Sequence, residues 1–180
     1  APTVVTLSGT VAVNQAVKNA VVCLDLNANN ACDANEPVSA KTGADGNYSL
    51  SYKSSEVTPA QASTSSLVAL IQYGSISDGA TSIDAADTTT ALTTKSYALK
   101  QVPGKSGQIN PLTTLVAAGV AQGMTEATSR ANVAVQLSIA EAKIDNYRDD
   151  PVSDPSQVQD NARTMAGVTA AALELGATLR

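Results

Sequence analysis

No histidine, tryptophan or phenylalanine occurs in this chain of 180 residues. Without histidine there is no usual general base at neutral pH, no Ser-His triad and few of the zinc sites that proteins build. Without Phe and Trp a core must come from Ala, Val, Leu and Ile, helped by five tyrosines. The aromatic anchors that favour sugar and protein contacts are reduced to Tyr48, Tyr52, Tyr73, Tyr97 and Tyr147. Positive charge is scarce too: 11 Lys and Arg against 16 Asp and Glu leave a net charge of −5. Acidity with no basic patch argues against a nucleic-acid partner and against anionic membrane surfaces. No apolar run approaches transmembrane length, so no membrane insertion is expected. No glycine-rich phosphate loop is present. The carboxylates Asp149 and Asp150 stand beside Pro151 and read as a solvated loop rather than a glycosidase pair. Taken together these absences point away from an enzyme.

What is there is concentrated in one stretch, Asp25 to Glu36. Oxygen-bearing side chains fall at positions one, three, five, nine and twelve: Asp25, Asn27, Asn29, Asp33 and Glu36. Position seven, Ala31, needs to offer only its backbone carbonyl. This is the ligand spacing of a twelve-residue calcium loop. Asn30 stands where such loops usually carry glycine, and asparagine is the next most tolerant residue of left-handed backbone. The alternative is a polar Asn/Asp turn that binds nothing; the filling of every slot favours the ion. The apolar, β-branched run Ala20 to Leu24 precedes the loop, and Pro37 follows it and discourages a helix. A calcium site between strands stiffens a β-domain, whereas a sensor needs helices that swing. The chain's two cysteines bracket the same loop. Cys23 and Cys32 can form a disulfide if the loop folds back on its strand; the alternative is two reduced thiols.

The first half reads as β. Val5, Leu7, Val11 and Val13 alternate with small polar residues over Val4 to Val13. A turn is expected over Asn14 to Asn19. Val38 to Thr42 and Asn47 to Tyr52 flank Gly43-Ala44-Asp45-Gly46, a hairpin signal. Leu67 to Ile71 is apolar on both faces and reads as a buried strand. Residues 74–90 read as a long polar loop, and Lys95 to Val102 as a further strand. Six or seven short strands suggest a sandwich. The second half reads as helical. Asn110-Pro111 caps a helix with Leu112, Leu115, Val116 and Val120 on one face, stopped by Gly123. Thr125-Glu126 opens a second helix to about Leu137, Ile139 to Pro155 is irregular or short-helical, and Asp154-Pro155 opens the longest helix. The expected fold is α+β: an Ig- or prealbumin-like antiparallel β-sandwich over 1–108, then a bundle of about three helices over 109–180.

Leu7-Ser8-Gly9-Thr10-Val11, Val22-Cys23-Leu24-Asp25-Leu26-Asn27, Glu36-Pro37 and Gly43-Ala44-Asp45-Gly46-Asn47-Tyr48 together resemble a module of secreted bacterial proteins. The stretch from about residue 4 to 73 is similar to collagen-adhesin B-type repeats and the carboxypeptidase-regulatory-like (prealbumin-like) β-sandwich. The resemblance implies a small extracellular sandwich, often calcium-bound, used as stalk, spacer or adhesive subunit. Ile109 to Val116 resembles a segment that follows such sandwiches in secreted proteobacterial proteins. The Lys–Asn isopeptide bond of some B-type repeats is not carried over, because no lysine is flanked by apolar strand residues.

The opening Ala1-Pro2-Thr3 reads as a mature end left by leader cleavage, and the expected location is secreted, extracellular or cell-surface. The expected function is a non-enzymatic, calcium-stabilised structural protein, a self-assembling subunit of an extracellular filament or surface structure. Its partners would be copies of itself, joined head to tail through the strand carrying Val4, Val5, Leu7, Val11 and Val13. The alternative is an adhesin or carbohydrate-binding accessory module with a surface glycan or protein partner.

Overall fold

A computed structural model describes residues 1–146 apart from 14, 78, 85, 86 and 94. The elements run β1 (Val4–Thr10), β2 (Val17–Lys18), β3 (Val21–Asp25), β4 (Asn47–Lys53), α1 (Pro59–Thr64), β5 (Ser66–Ile71), β6 (Ile83–Asp84), β7 (Asp87–Ala91), β8 (Tyr97–Lys100), α2 (Pro111–Ala121), α3 (Glu126–Leu137) and α4 (Lys143–Asn146). The fold is α+β with antiparallel sheets of order β1-β4, β2-β6-β7 and β3-β5-β8.

The alternation of β1 and β4 sets the core. Inward Val5 and Leu7 pack with Tyr48, Leu50 and Tyr52 against Val22, Leu24, Leu67, Ala69, Ile71 and Leu99 of the β3-β5-β8 sheet. Two sheets sharing one core is an arrangement compatible with a β-sandwich. Strand β5 is central and buried on both faces, because Val68 on its other face meets Cys23 and Ala98. A β-strand with two covered faces needs an unbroken apolar run, and Leu67 to Ile71 supplies it.

The helices form a second cluster in which Leu112, Val116, Val133 and Ile144 pack with Val102, joined by Leu115 and Val120. The cap at Asn110 ties α2 to α4. Its Oδ1 accepts from the backbone of Leu112 and Thr113, and its Nδ2 donates to the Ile144 carbonyl at 2.8 Å. Thr113 Oγ1 donates to the Lys100 carbonyl, and Thr114 Oγ1 accepts from the Lys100 amide, so α2 covers the end of the outer strand β8. Gly123, at φ 90°, follows the C-cap Gln122.

Several expectations need correction. The stretch Val38–Thr42 forms no hairpin with residues 47–52. It runs along β3 instead: Ser39 N donates to the Val22 carbonyl and Thr42 N to the Ala20 carbonyl, while β4 pairs with β1 over seven positions. Apolar Tyr48, Leu50 and Tyr52 gain more by covering the core with β1 than by pairing locally. The stretch read as a polar loop over 74–90 contains β6 and begins β7. Strand β1 ends at Thr10, and Val11 and Val13 continue into the core as irregular chain. The helix expected from Asp154-Pro155 lies outside the described residues, as does Tyr147.

Candidate functional site

The loop Asp25–Glu36 leaves the end of β3 and returns antiparallel beside it, with Leu24 N bonding the Pro37 carbonyl and Cys23 bridging Val38. It therefore sits between extended segments, not helices. Cys23 and Cys32 are joined, with Cα atoms 5.6 Å apart. The bridge lies on the outer face of β5, against Val68, Ala98 and Leu70. It folds the loop over that face, and Cys23 Sγ rests 3.4 Å from the Ala31 carbonyl oxygen.

Inside the loop the polar groups bond to one another in a regular order. Asp25, buried at 3 % exposure, accepts from the backbone amides of Asn29 and Asn30. Asn27 Oδ1 accepts from Asn29 N and Asn29 Oδ1 from Ala31 N, each two residues on, which are Asx-turns. Ala28 and Asn30 take left-handed backbone at φ 59° and 61°. Asn30 thus stands in for the expected glycine, and Ala28 is a second left-handed position, one that its residue type does not signal. Glu36, 7 % exposed, closes the ring: its two carboxylate oxygens accept from Leu26 N and Asp33 N.

The side chains at positions three, five and nine converge. One oxygen of Asp33 accepts from the amide nitrogens of both Asn27, at 2.7 Å, and Asn29, at 2.8 Å. Asp25 and Glu36 are held at the loop's ends, so among the described residues no three Asp, Glu, Cys or His side chains gather as one metal-binding group. The donor set is nonetheless all-oxygen, as calcium requires: three carboxylates, two amides and one carbonyl. One polar atom here, Asn30 Oδ1, is buried without a hydrogen-bond partner among the described residues. Lys100 is a cation within reach of the Asp25 carboxylate. Burial pushes its ammonium below its ordinary range, and the Asp25 carboxylate opposes that fall.

Beside the loop lies a hollow of about 320 Å³ lined by Asn29, Asn30, Leu70, Gln72, Ser96, Tyr97 and Ala98. Burial pushes the Tyr97 hydroxyl up to about 12. A second hollow, of about 360 Å³, lies under the inward side of β1, walled by Val5, Leu7, Leu24, Tyr52, Val57, Ala62, Gly104 and Lys105 among others.

Strand β1 is an outer strand, paired on one side with β4. Along its other side, Ser8 O accepts from Gly107 N and Thr10 O from Ile109 N, while Ala12 N donates to Ile109 O. Gly9 makes this approach fit, since a Cβ there would stand 2.0 Å from the Gly107 carbonyl oxygen. Nothing among the described residues continues that lane past Val4 to Leu7. Strand β1, expected to carry assembly, is thus a sheet edge held in part by its own chain, with Val4 61 % exposed. No family model, curated protein or solved structure matches this chain. No helix among the described residues is long and apolar enough to cross a membrane.

Proposed function

We propose that this chain is a secreted, non-enzymatic structural module, stiffened by calcium at Asp25–Glu36, that self-assembles into an extracellular filament or surface structure. The observation that carries the reading is the outer side of β1, where the backbone donors and acceptors of Val4 and Thr6 face outward with no neighbour among the described residues. Such an edge is a template for strand addition unless it is blunted. The β3-β5-β8 sheet shows the contrast: residues 38–42 cover β3 and α2 covers the end of β8.

Calcium would be held by Asp25, Asn27, Asn29, the Ala31 carbonyl, Asp33 and Glu36. The ion would supply charge neutralisation for the loop's three carboxylates. The residues themselves already impose the ring: Asp25 gathers two amides, Glu36 joins Leu26 to Asp33, and the disulfide fixes the loop to β3. Because the folded loop binds and the unfolded chain does not, calcium stabilises by mass action. A disulfide and calcium at extracellular concentration fit a secreted module.

The test is sedimentation and electron microscopy of the full-length chain with and without calcium. Polymers or concentration-dependent oligomers support the reading; a monomer at high concentration with calcium present overturns it. Deleting residues 1–10 is a poor probe, because it strips the cover from Tyr48, Leu50 and Tyr52. Thr6→Pro is better, since it removes one outward N–H at an edge and spares the bonds to β4.

One observation favours a second reading, an adhesin or glycan-binding module. The hollow beside the loop offers amide, hydroxyl and phenol groups from Asn29, Gln72, Ser96 and Tyr97, a set suited to a hydroxyl-rich ligand. Glycan-array binding that Tyr97→Ala abolishes in a monomeric protein would put this reading first.

A further inference from the structure

The open lane beside β1 dictates what can fill it. Backbone groups alternate along a strand, so only every second residue faces outward. Ser8 and Thr10 present their carbonyls to Gly107 and Ile109, while Thr3 exchanges bonds with Ser54 on the β4 side. By the same alternation Val4 and Thr6 face the lane that the described residues leave open. The lane is short, because at Ser8 it is already taken by Gly107. Its floor is apolar, because inward Val5 and Leu7 wall the 360 Å³ hollow. The strand itself is uncharged: β1 carries no ionisable side chain. Among the other outer strands, β7 is polar along Asp87 to Thr90 and walls neither hollow, and β4 carries the charged Lys53.

We infer that the occupant is β1 of a second copy, paired antiparallel about a two-fold axis centred on Val5. This deepens the self-assembly reading and rests on it. A two-fold axis normal to the sheet keeps the inward faces of both copies on one side, so residues of equal parity must pair. Outward groups come from Val4 and Thr6 only. The register that meets both demands sets Val4 opposite the second copy's Thr6 and Val5 opposite the second copy's Val5. The result is a continuous sheet of order β4-β1-β1-β4. Val5 meets its mate at a non-hydrogen-bonded position, where Cα atoms approach to about 4.5 Å. Its side chains from both copies then lie over the joined hollows. A two-fold contact closes on itself, so it makes a dimer as building block; growth into a filament uses a second surface.

Cysteine cross-linking of the full-length protein tests the register. Val5→Cys is expected to give a disulfide-linked dimer on mild oxidation, at least tenfold faster than Thr6→Cys, whose mate is Val4. Peptide mapping confirms that Cys23 and Cys32 stay joined to each other. Adding Thr6→Pro to Val5→Cys should abolish the cross-link. Equal rates at the two positions in a protein that still sediments as an oligomer overturn the register and leave self-assembly standing. No cross-link in a protein that stays monomeric overturns both. Slow hydrogen exchange at the Val4 and Thr6 amides in a monomer assigns the lane to another segment of the same chain, and overturns the inference.

Discussion

Removing the Cys23–Cys32 bridge should weaken the fold by a calculable amount. The sequence separation is nine residues. On the chain-entropy model, closing a loop of that size stabilises by about 2.6 kcal/mol. Cys23 is fully buried against Val68 and Ala98, so a serine would add an unmet hydroxyl; the double variant Cys23→Ala/Cys32→Ala is the cleaner perturbation. For a domain of this size about 2–4 °C of melting temperature corresponds to each kcal/mol, so a fall of roughly 5–10 °C is expected. Calorimetry of the oxidised protein, the same protein under reductant, and the double variant should place the last two together, well below the first. Mass spectrometry should show the oxidised chain lighter than the reduced one by two hydrogens. A change under about 2 °C, or two freely alkylatable thiols in protein isolated without reductant, would refute the reasoning.

Further outcomes follow from local geometry. Gly9→Ala drives a Cβ onto the Gly107 carbonyl, so it should cost about 1–3 kcal/mol, read by denaturant unfolding. Asn110→Ala strips partners from two buried amides and from the Ile144 carbonyl; a loss of about 2–4 kcal/mol, with α2 amides exchanging faster, is expected. Burial raises the Tyr97 hydroxyl from 10.0 to about 12 and raises Tyr48 as well. The folded state thus favours neutral phenol. Its contribution is fully present below pH 10 and is lost as pH rises through about 12, so ultraviolet titration should show delayed ionisation and melting temperature should fall in that window.

Local signals were legible and distant pairings were not. Asn110-Pro111, Thr125-Glu126 and Gly123 marked the helix ends because caps bond within a few residues. The disulfide was legible because nine residues separate its halves and the loop between them had a reason to fold back. Leu67–Ile71 announced a strand covered on both faces. The β1-β4 pairing was missed because the local Asp-Gly turn suggested a nearer partner for Asn47–Tyr52, and only the shared core decides against it. Strand β7 was missed because Thr88, Thr89 and Thr90 lie exposed and carry no apolar alternation. Helix α1 went unread although Thr58 and Gln61 form a capping box, since six residues with no buried position give no period. The spacing of Asp25 to Glu36 fixed which residues share the loop. It did not show that the Asn27 and Asn29 amides would meet on Asp33, which depends on the left-handed turns at Ala28 and Asn30.

Titration calorimetry on the full-length, oxidised protein measures the loop's affinity for calcium directly. One site per chain with a dissociation constant of roughly 10⁻⁴ to 10⁻³ M is expected. At tenfold excess over that constant the fold should gain about 1.4 kcal/mol, or roughly 3–6 °C. Glu36→Gln should remove both the heat and the shift. Absence of calcium heat in the native chain, with melting unchanged by calcium and Glu36→Gln silent, would contradict the account.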